Sequence, residues 1–597
     1  QHRVISIFHS DAKMQDNSNE KDPSRDVSDP LVDENEQKRD DKPSNFKDIE
    51  AVLDHLGGAG RYNLLVLAAA AFFNVFTGMI TLSANFTSAG VPFNCSDFGL
   101  DNVTLPADCQ TSAATNASST AIDSQCSVTF NCYSARTEKL DKSDSLKLRT
   151  FDCQAFEFSE TGMFQETAVS RFGLVCQRAW MSNLATTFYF VGFLFGCSVY
   201  GALADRFGRQ KMALVSLINI IVCTIAASQA PLLWLYWSLQ LLTGLGIGGF
   251  MSSTFSLALE STTPAYRNIW GMGLHNGWTI GIYLGTLIAY FERRYNFLLL
   301  YYGLTVLAAI PPVLLLSESP RWLVSTRRYK QADSVLQRIA RINRRSLGDD
   351  NFSSEIIALR DKSASTGDEG ISVLQLLKQP NMRLVTCIVW VMFFNVSMAY
   401  YGIWLAMGNL GGSIYRNQLI AATIEIPSRL LGMLASYRIN RRVTIIVTYG
   451  CAGVCLAATA FLFGESHLSV ARISTAMTGK FWVLIAFDLT WLYSAEVFPT
   501  VVRSLGVGTG STFARAGAMI STLVPGLGVF WRPLPFLIFS IGPLLVVLLA
   551  LAVPETRGRR LPNSMEDGER LAKTSRCCRR RRQQAQDISD GGGDIEL

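Results

Sequence analysis

The sequence predicts an all-α membrane protein of twelve transmembrane helices in two six-helix bundles, with a Cys-rich extracellular loop. Three observations carry this. Charged residues make up only 17% of the 597 residues and hydrophobic ones 49%, where soluble domains carry about 25% charge. The apolar residues gather into runs long enough to cross a bilayer. The loops between those runs repeat a set of charged motifs in one order.

A hydrocarbon core of roughly 30 Å takes about 20 residues of helix. Runs of that kind lie at 62–84, 183–204, 212–230, 232–259, 269–291 and 297–316, then at 384–408, 415–437, 443–463, 467–494, 502–527 and 535–553. An even number of spans puts both termini on one side. Arg206, Arg209, Lys211, Arg267, Arg438, Arg441, Arg442 and Arg503 fall on that side, whereas the opposite short loops hold chiefly Arg293, Arg294, Arg416, Arg472 and Arg532. Basic short loops stay cytoplasmic, so both termini are expected inside a multi-pass plasma-membrane protein. The net charge of +6 is then topology information, and no nucleic-acid partner is expected.

The chain divides accordingly. Residues 1–61 read as a cytoplasmic N-terminal segment, mostly disordered by composition. Residues 62–316 form the first bundle, 317–383 a cytoplasmic linker, 384–553 the second bundle and 554–597 a basic cytoplasmic tail. In that tail Arg576-Cys577-Cys578 precedes a run of arginines; a palmitoylated or lipid-binding patch and a plain basic tail both fit. The loop 85–182 lies outside. It holds Cys95, Cys109, Cys126, Cys132, Cys153 and Cys176, six of the chain's 13 cysteines, and an even count in an oxidising compartment reads as disulfides whose pairing sequence cannot choose. Sequons at Asn94, Asn102 and Asn116 in the same loop point to glycosylation. Those at Asn351 and Asn395 fall in the linker and in a span, and are expected to stay unmodified.

The loop motifs recur. Glu260-Ser-Thr-Thr-Pro-Ala-Tyr-Arg267 follows the fourth run and Glu496-Val-Phe-Pro-Thr-Val-Val-Arg503 the tenth. Glu318-Ser-Pro-Arg321 follows the sixth run and Pro554-Glu555-Thr-Arg557 the twelfth. Asp205-Arg206-Phe-Gly-Arg209 follows the second, where the eighth has the weaker Tyr437-Arg-Ile-Asn-Arg441-Arg442. Positive-inside loops share arginines by necessity, but not acids at matched spacing. Duplication of a six-helix unit with a site between the halves accounts for both. Asp205, Glu260 and Glu496 are placed to pair with neighbouring arginines as a gating latch; a solvated helix end is the plainer reading.

Gly201-Ala-Leu-Ala-Asp205-Arg206-Phe-Gly208-Arg209 resembles the loop signature of the major facilitator superfamily. With the Cys-rich loop, Glu318-Ser-Pro-Arg321-Trp322-Leu, Ala495-Glu-Val-Phe-Pro-Thr-Val-Val-Arg503 and Leu551-Ala-Val-Pro-Glu555-Thr-Arg-Gly, the set is similar to solute carrier family 22, the organic cation, carnitine and organic anion transporters, over residues 50–570. Two departures stand out. Gln210 occupies a position that is usually basic, and the second-half copy lacks the Asp and the Gly. The resemblance implies the major facilitator fold, transport by alternating access, no enzymatic activity and no cofactor. The partners it implies are a small organic ion, the bilayer and, as an open alternative, a coupling ion.

Ionisable residues inside spans mark functional candidates, because one at the bilayer centre costs about 2.5–3.5 kcal/mol on insertion scales. Arg515, in the eleventh run, and Arg429, in Glu425-Ile-Pro-Ser-Arg429 of the eighth, need a polar cavity or a partner, and guanidinium forks suit carboxylates and sulfates. The resemblance sharpens this. Anion and carnitine-type members carry arginine where Arg515 stands and cation members aspartate, and anion members often hold a basic residue where Arg429 stands. Asp488 falls where several cation members are acidic or polar; pairing with an arginine and contact with the amine of a zwitterion both stay open. Glu425 and Lys480 look like a paired acid and base of the family scaffold.

Tyr400, Tyr401, Trp404, Trp278 and Tyr283 are placed to stack on an organic substrate, with packing or interfacial roles as the alternative. No Gly-x4-Gly-Lys-Ser/Thr loop and no His/Cys metal spacing is present, so neither an ATP-driven pump nor a metal centre is expected. The expected function is secondary transport of small organic anions or zwitterions, carnitine-like or amino-acid-like. An organic cation carrier and a non-transporting receptor that uses the loop are the alternatives.

Overall fold

The computed structural model describes residues 49–58, 60–97, 109–110, 127–132, 147–152, 155–158, 164–263, 267–345, 373–464, 466–559, 562 and 564–573. A helix stands at each of the twelve positions where the sequence places an apolar run. The first half opens with α1 (Ile49–His55), α2 (Arg61–Thr81) and the short α3 (Ala84–Thr87). After the loop segment come α4 (Ala168–Arg171), α5 (Leu184–Phe207), α6 (Arg209–Ser228), α7 (Leu233–Glu260) and α8 (Arg267–Phe291). The sixth run is interrupted. It forms α9 (Tyr295–Val306), a 3-10 turn at Leu307–Ala309 and α10 (Ile310–Leu315), because Pro311 and Pro312 withhold two backbone donors.

The linker carries α11 (Pro320–Ser325), α12 (Tyr329–Asn343) and α13 (Val373–Lys378). The second half comprises α14 (Pro380–Leu405), α15 (Ile414–Arg438), α16 (Arg441–Phe461), α17 (Ser469–Val497), α18 (Arg503–Ser521) and α19 (Leu534–Ala550), with α20 (Met565–Lys573) after it. Among the described residues nine helical segments are long and apolar enough to cross a membrane. Phe195, Val222, Leu430, Leu545 and Leu548 are large apolar side chains left on the surface, the pattern of a lipid-facing exterior.

Small residues set the packing in the first half. A Cβ at Gly192 of α5 would stand 1.9 Å from the Leu241 carbonyl oxygen, and one at Gly244 of α7 the same 1.9 Å from that of Tyr189. With Gly196 and Gly248 one turn further on, glycines four apart on both helices let the backbones touch, which is how membrane helices gain dispersion contact without a hydrophobic driving force.

Short strands occur in the loop segment. β1 (Phe93–Asp97) pairs antiparallel with β5 (Ala155–Phe158), with Phe93 opposite Phe158. β2 (Cys109–Gln110), β3 (Ser127–Cys132) and β4 (Lys147–Asp152) form a second antiparallel sheet in that order. Its register sets Cys109 opposite Cys132. Cys176 is disulfide-bonded. Cys126, Cys153, Asn102 and Asn116 lie outside the described residues, as do the side chains of Cys95, Cys109, Cys132 and Asn94. Asn351, residues 1–48 and the tail Cys577-Cys578 also lie outside them, whereas Asn395 is buried in α14 at 7% exposure.

Two elements dock against the face that carries the linker. Val52 and Leu53 of α1 and Leu336, Ile339 and Ala340 of α12 are buried with Tyr62 and Val66 of α2 in one cluster, and Glu50 pairs with Arg321 at 3.1 Å. In the second half Glu569 of α20 accepts from the backbone N–H groups of Asn381 at 3.1 Å and Met382 at 2.9 Å. A carboxylate there satisfies orphan donors at the start of α14 and meets the positive end of its dipole.

Candidate functional site

The repeated loop motifs build the same arrangement twice. In the first half the Glu318 carboxylate accepts from the backbone N–H of Arg209 at 2.9 Å and of Gln210 at 3.1 Å, at the start of α6. The Arg209 guanidinium pairs with Glu260 at 3.1 Å and Asp205 at 2.9 Å. In the second half Glu555 accepts from the backbone N–H of Arg441 at 2.8 Å and Arg442 at 3.1 Å, at the start of α16. Arg441 pairs with Glu496 at 2.8 Å.

The missing Asp and Gly of the second copy are therefore not needed for this geometry, because its contacts run through backbone donors and one guanidinium. Gln210 keeps a role too: its side-chain amide donates to the Val313 and Leu316 carbonyls at 3.1 and 2.7 Å. Among the described residues no ion pair joins the two networks, and each ties helices of its own half. Arg321 also donates to the Thr262 carbonyl at 3.4 Å, and Arg503 to that of Phe498 at 3.3 Å. Arg206 is exposed over the Phe207 ring, and the Arg267 side chain lies outside the described residues.

Glu318→Ala and Glu555→Ala remove equivalent caps. Each is expected to lower stability by about 0.5–2 kcal/mol, read as matched drops in the melting temperature of the detergent-solubilised protein. A drop for one and none for the other would refute the equivalence.

The halves meet from the loop face down to mid-depth. At the loop end the Tyr415 hydroxyl donates to the Ala289 carbonyl at 3.1 Å, Thr187 meets Thr522 at 2.7 Å and Asn85 donates to Gln418 at 3.1 Å. Deeper, Tyr283 and Thr423 share a hydrogen bond of 2.7 Å. The deepest joints gather around two of the residues singled out in the sequence, Arg429 and Arg515.

The first joint centres on Glu425 of α15, which is fully buried. Its Oε1 accepts from the Tyr400 hydroxyl at 2.9 Å and stands 3.5 Å from the Lys480 ammonium. Its Oε2 accepts from Thr279 at 2.8 Å and Arg429 at 3.4 Å. A carboxylate offers about four lone-pair sites, so Glu425 is saturated. The Trp278 indole donates to Tyr400 at 2.9 Å, so Trp278 and Thr279 of α8 fasten the first half to this hub. Lys480, also at 0% exposure, donates to the Ala421 carbonyl at 2.8 Å and lies 3.4 Å from the Trp404 ring centroid. Trp404 is thus under the lysine rather than facing an open space. Pro427 inside α15 removes one backbone donor in the turn that carries Glu425 and Arg429.

Arg429 is under-satisfied. Its Nε and Nη1 are buried with no hydrogen-bond partner. Asp488 lies within electrostatic range of Arg429 and Glu425, yet forms no ion pair or hydrogen bond among the described residues. The second joint is Arg515 of α18. It donates through Nε to the Cys197 thiol of α5 at 2.9 Å, through Nη1 to the Ser511 carbonyl and hydroxyl, and lies over the Phe193 ring at 5.2 Å. Between the two joints Tyr401 stacks edge-on against Phe190 of α5, with ring centroids 4.9 Å apart. Thr279, Cys197 and Phe193 have no counterpart among the sequence candidates: they are uncharged residues in apolar helices, and only the register between the halves singles them out.

Residues 117–566 match the family model described as "Sugar (and other) transporter". A solute carrier family 22 member 7 of Bos taurus is 31% identical over 422 residues, 71% of this chain and 76% of that protein. The chain belongs to solute carrier family 22. The Homo sapiens solute carrier family 22 member 7 is likewise 31% identical, over 421 residues covering 70% of this chain and 76% of its own length. A Drosophila melanogaster protein named "Organic cation transporter protein" is 28% identical over 452 residues, 75% of this chain and 80% of its own.

Among solved structures, the proton:xylose symporter XylE bound to 6-bromo-6-deoxy-D-glucose matches with a TM-score of 0.55 at 13% identity, covering 85% of this chain and 99% of that one. The E. coli xylose transporter XylE in an inward-open conformation matches at 0.53 and 14%, over 85% and 98%. The fold is therefore that of the major facilitator superfamily, and this solute carrier 22 member is a multi-pass membrane transporter rather than an enzyme.

Proposed function

We propose that this transporter moves small organic anions or zwitterions by alternating access, with a site between the two joints, formed by Arg429, Asp488 and Arg515. The observation that carries this is the charge at mid-depth. Lys480, Arg429 and Arg515 stand against Glu425 and Asp488, a formal excess of one positive charge, and two nitrogens of Arg429 are buried without an acceptor. A carboxylate or sulfate of the substrate supplies that acceptor and the missing charge at once. Asp488, left without a partner, suits the ammonium of a zwitterion. Tyr401 and Tyr283 offer ring faces at the seam, whereas Trp278, Tyr400 and Trp404 act through the Glu425 hub.

The proposal includes twelve spans, cytoplasmic termini and a glycosylated, disulfide-bonded loop 85–182, with residues 62–316 and 384–553 as the moving halves and 317–383 between them. The duplicated Arg209–Glu260–Glu318 and Arg441–Glu496–Glu555 sets brace each half so that it moves as a body. The receptor reading has no observation behind it.

The test is uptake by vesicles holding the purified protein, with labelled organic anions, zwitterions and tetraethylammonium, each with and without sodium at two pH values. Saturable uptake of an anion or zwitterion is expected. Uptake of tetraethylammonium alone would favour the cation carrier and overturn the charge argument.

A further inference from the structure

At the loop face two cavities meet at Tyr290. One, of about 510 Å³, is a polar cleft lined by Gln165, Glu292, Arg293, Arg294 and Phe297. The other, of about 520 Å³, is an apolar groove between α8 and α15, lined by Tyr415, Leu419, Ile420 and Ile424 with Arg416 at its mouth. Leu419 and Ile420 are 39% and 38% exposed, so the groove opens sideways, toward lipid. From Ser413 to Ile424 it runs about 16 Å along the helix at 1.5 Å per residue, about half of a roughly 30 Å hydrocarbon core. Arg293, Arg294 and Arg416 stand at the mouth with Glu292, and Glu166 bridges to Arg294 beside them through the backbone. Glu292 accepts from the Arg294 backbone N–H at 3.1 Å, and the Arg294 side chain donates to Gln165 at 3.1 Å. The Arg416 guanidinium is exposed and enters no ion pair among the described residues.

We infer that this is a binding site for an anionic amphiphile, its carboxylate or phosphate at the arginine mouth and its apolar tail in the groove. Length and charge both fit. A tail reaching to mid-bilayer fills a groove that ends at mid-bilayer, and the basic mouth stands where the head group of such a molecule lies. The site is separate from the joint at Arg429 and Arg515. It also has a mechanical consequence. Tyr283 bonds Thr423, and Tyr415 bonds Ala289, across these same two helices, so an occupant lodged between them favours the closed loop face.

The experiment photolabels the full-length chain in phosphatidylcholine nanodiscs with a long-chain fatty acid carrying a terminal diazirine, and locates the label by peptide mass spectrometry. Label concentrated on the peptides holding Tyr290 and Leu419–Ile424 is expected, falling about fivefold with Arg416→Glu. Ile420→Trp, which fills the groove from the exposed side, is expected to remove it while the protein still elutes as a single species. Replacing part of the phosphatidylcholine with phosphatidylglycerol distinguishes the sources: competition assigns the site to an anionic lipid, and unchanged labelling assigns it to a free amphiphile. Label spread evenly over other exposed apolar faces, such as those of Leu314 and Leu548, overturns the inference, as does label that neither variant reduces. Because labelling rather than uptake is read, the result is independent of the proposed substrate class.

Discussion

Replacing Glu425 by Gln is expected to lower stability by about 3–5 kcal/mol and to abolish uptake. The size follows from burial. Lys480 and Glu425 are both at 0% exposure, and removing one member of a buried pair leaves the other charge uncompensated. After the substitution the ammonium keeps the Ala421 carbonyl and the Trp404 and Tyr400 rings but no carboxylate, and Arg429 loses its one carboxylate. The double variant Glu425→Gln/Lys480→Met is expected to recover most of the loss, because what costs stability is the orphaned charge rather than the absence of the pair. Thr279→Val and Tyr400→Phe each delete one hydrogen bond to the same carboxylate and are expected to cost about 1.5–3 kcal/mol. Melting temperatures of the solubilised protein decide the matter. A Glu425→Gln protein that melts with the wild type would show that the hub does not hold the halves together.

What the sequence discloses and what it withholds divide along a physical line. The helices at the twelve apolar runs are legible because such runs are long and written in order along the chain, and nine of the described segments are long and apolar enough to cross a membrane. The Arg209–Glu260–Glu318 and Arg441–Glu496–Glu555 sets are legible because their charges stand at the ends of those runs, where spacing reports position. Glu425 and Lys480, an acid and base that the resemblance pairs, stand 3.5 Å apart, whereas the contact of Glu425 with Arg429, one helical turn away, is not among the pairings expected from sequence.

The other side of each joint is not written locally. Thr279, Cys197 and Phe193 meet Glu425 and Arg515 through the packing of one half on the other, and an apolar helix offers many residues of similar kind for that role. The sixth run is expected unbroken over 297–316, and its break at Leu307–Ala309 traces to Pro311 and Pro312 inside it. The docking of α1 and α20 is not legible either: α1 is seven residues long and α20 nine, both within polar stretches. What holds them is tertiary burial in one case and the carboxylate of Glu569 in the other.

Arg515→Asp is expected to lower anion or zwitterion uptake by about 30- to 5000-fold, the range in which truncating one partner of a buried hydrogen-bonded charge pair falls. The substitution does more than remove a fork. It turns three cations against two carboxylates into two against three, so the seam that lacked an anion now lacks a cation. Saturable uptake of tetraethylammonium in this variant would be the complementary result. Arg515→Lys separates charge from geometry: an ammonium keeps the sign but cannot meet a carboxylate with two parallel N–H groups. A loss of about tenfold is expected there, chiefly in KM if the arginine binds ground and transition states alike. Cys197→Ser retains a hydroxyl acceptor for Nε and is expected to leave uptake near wild type, which tests whether the Cys197 contact holds the resting structure or takes part in binding. Initial rates are normalised to surface protein, so that poor folding is not read as lost recognition. If Arg515→Asp still carries the anion within about threefold of the wild type, the charge that selects the substrate does not reside at this residue, and Arg429 becomes the place to look.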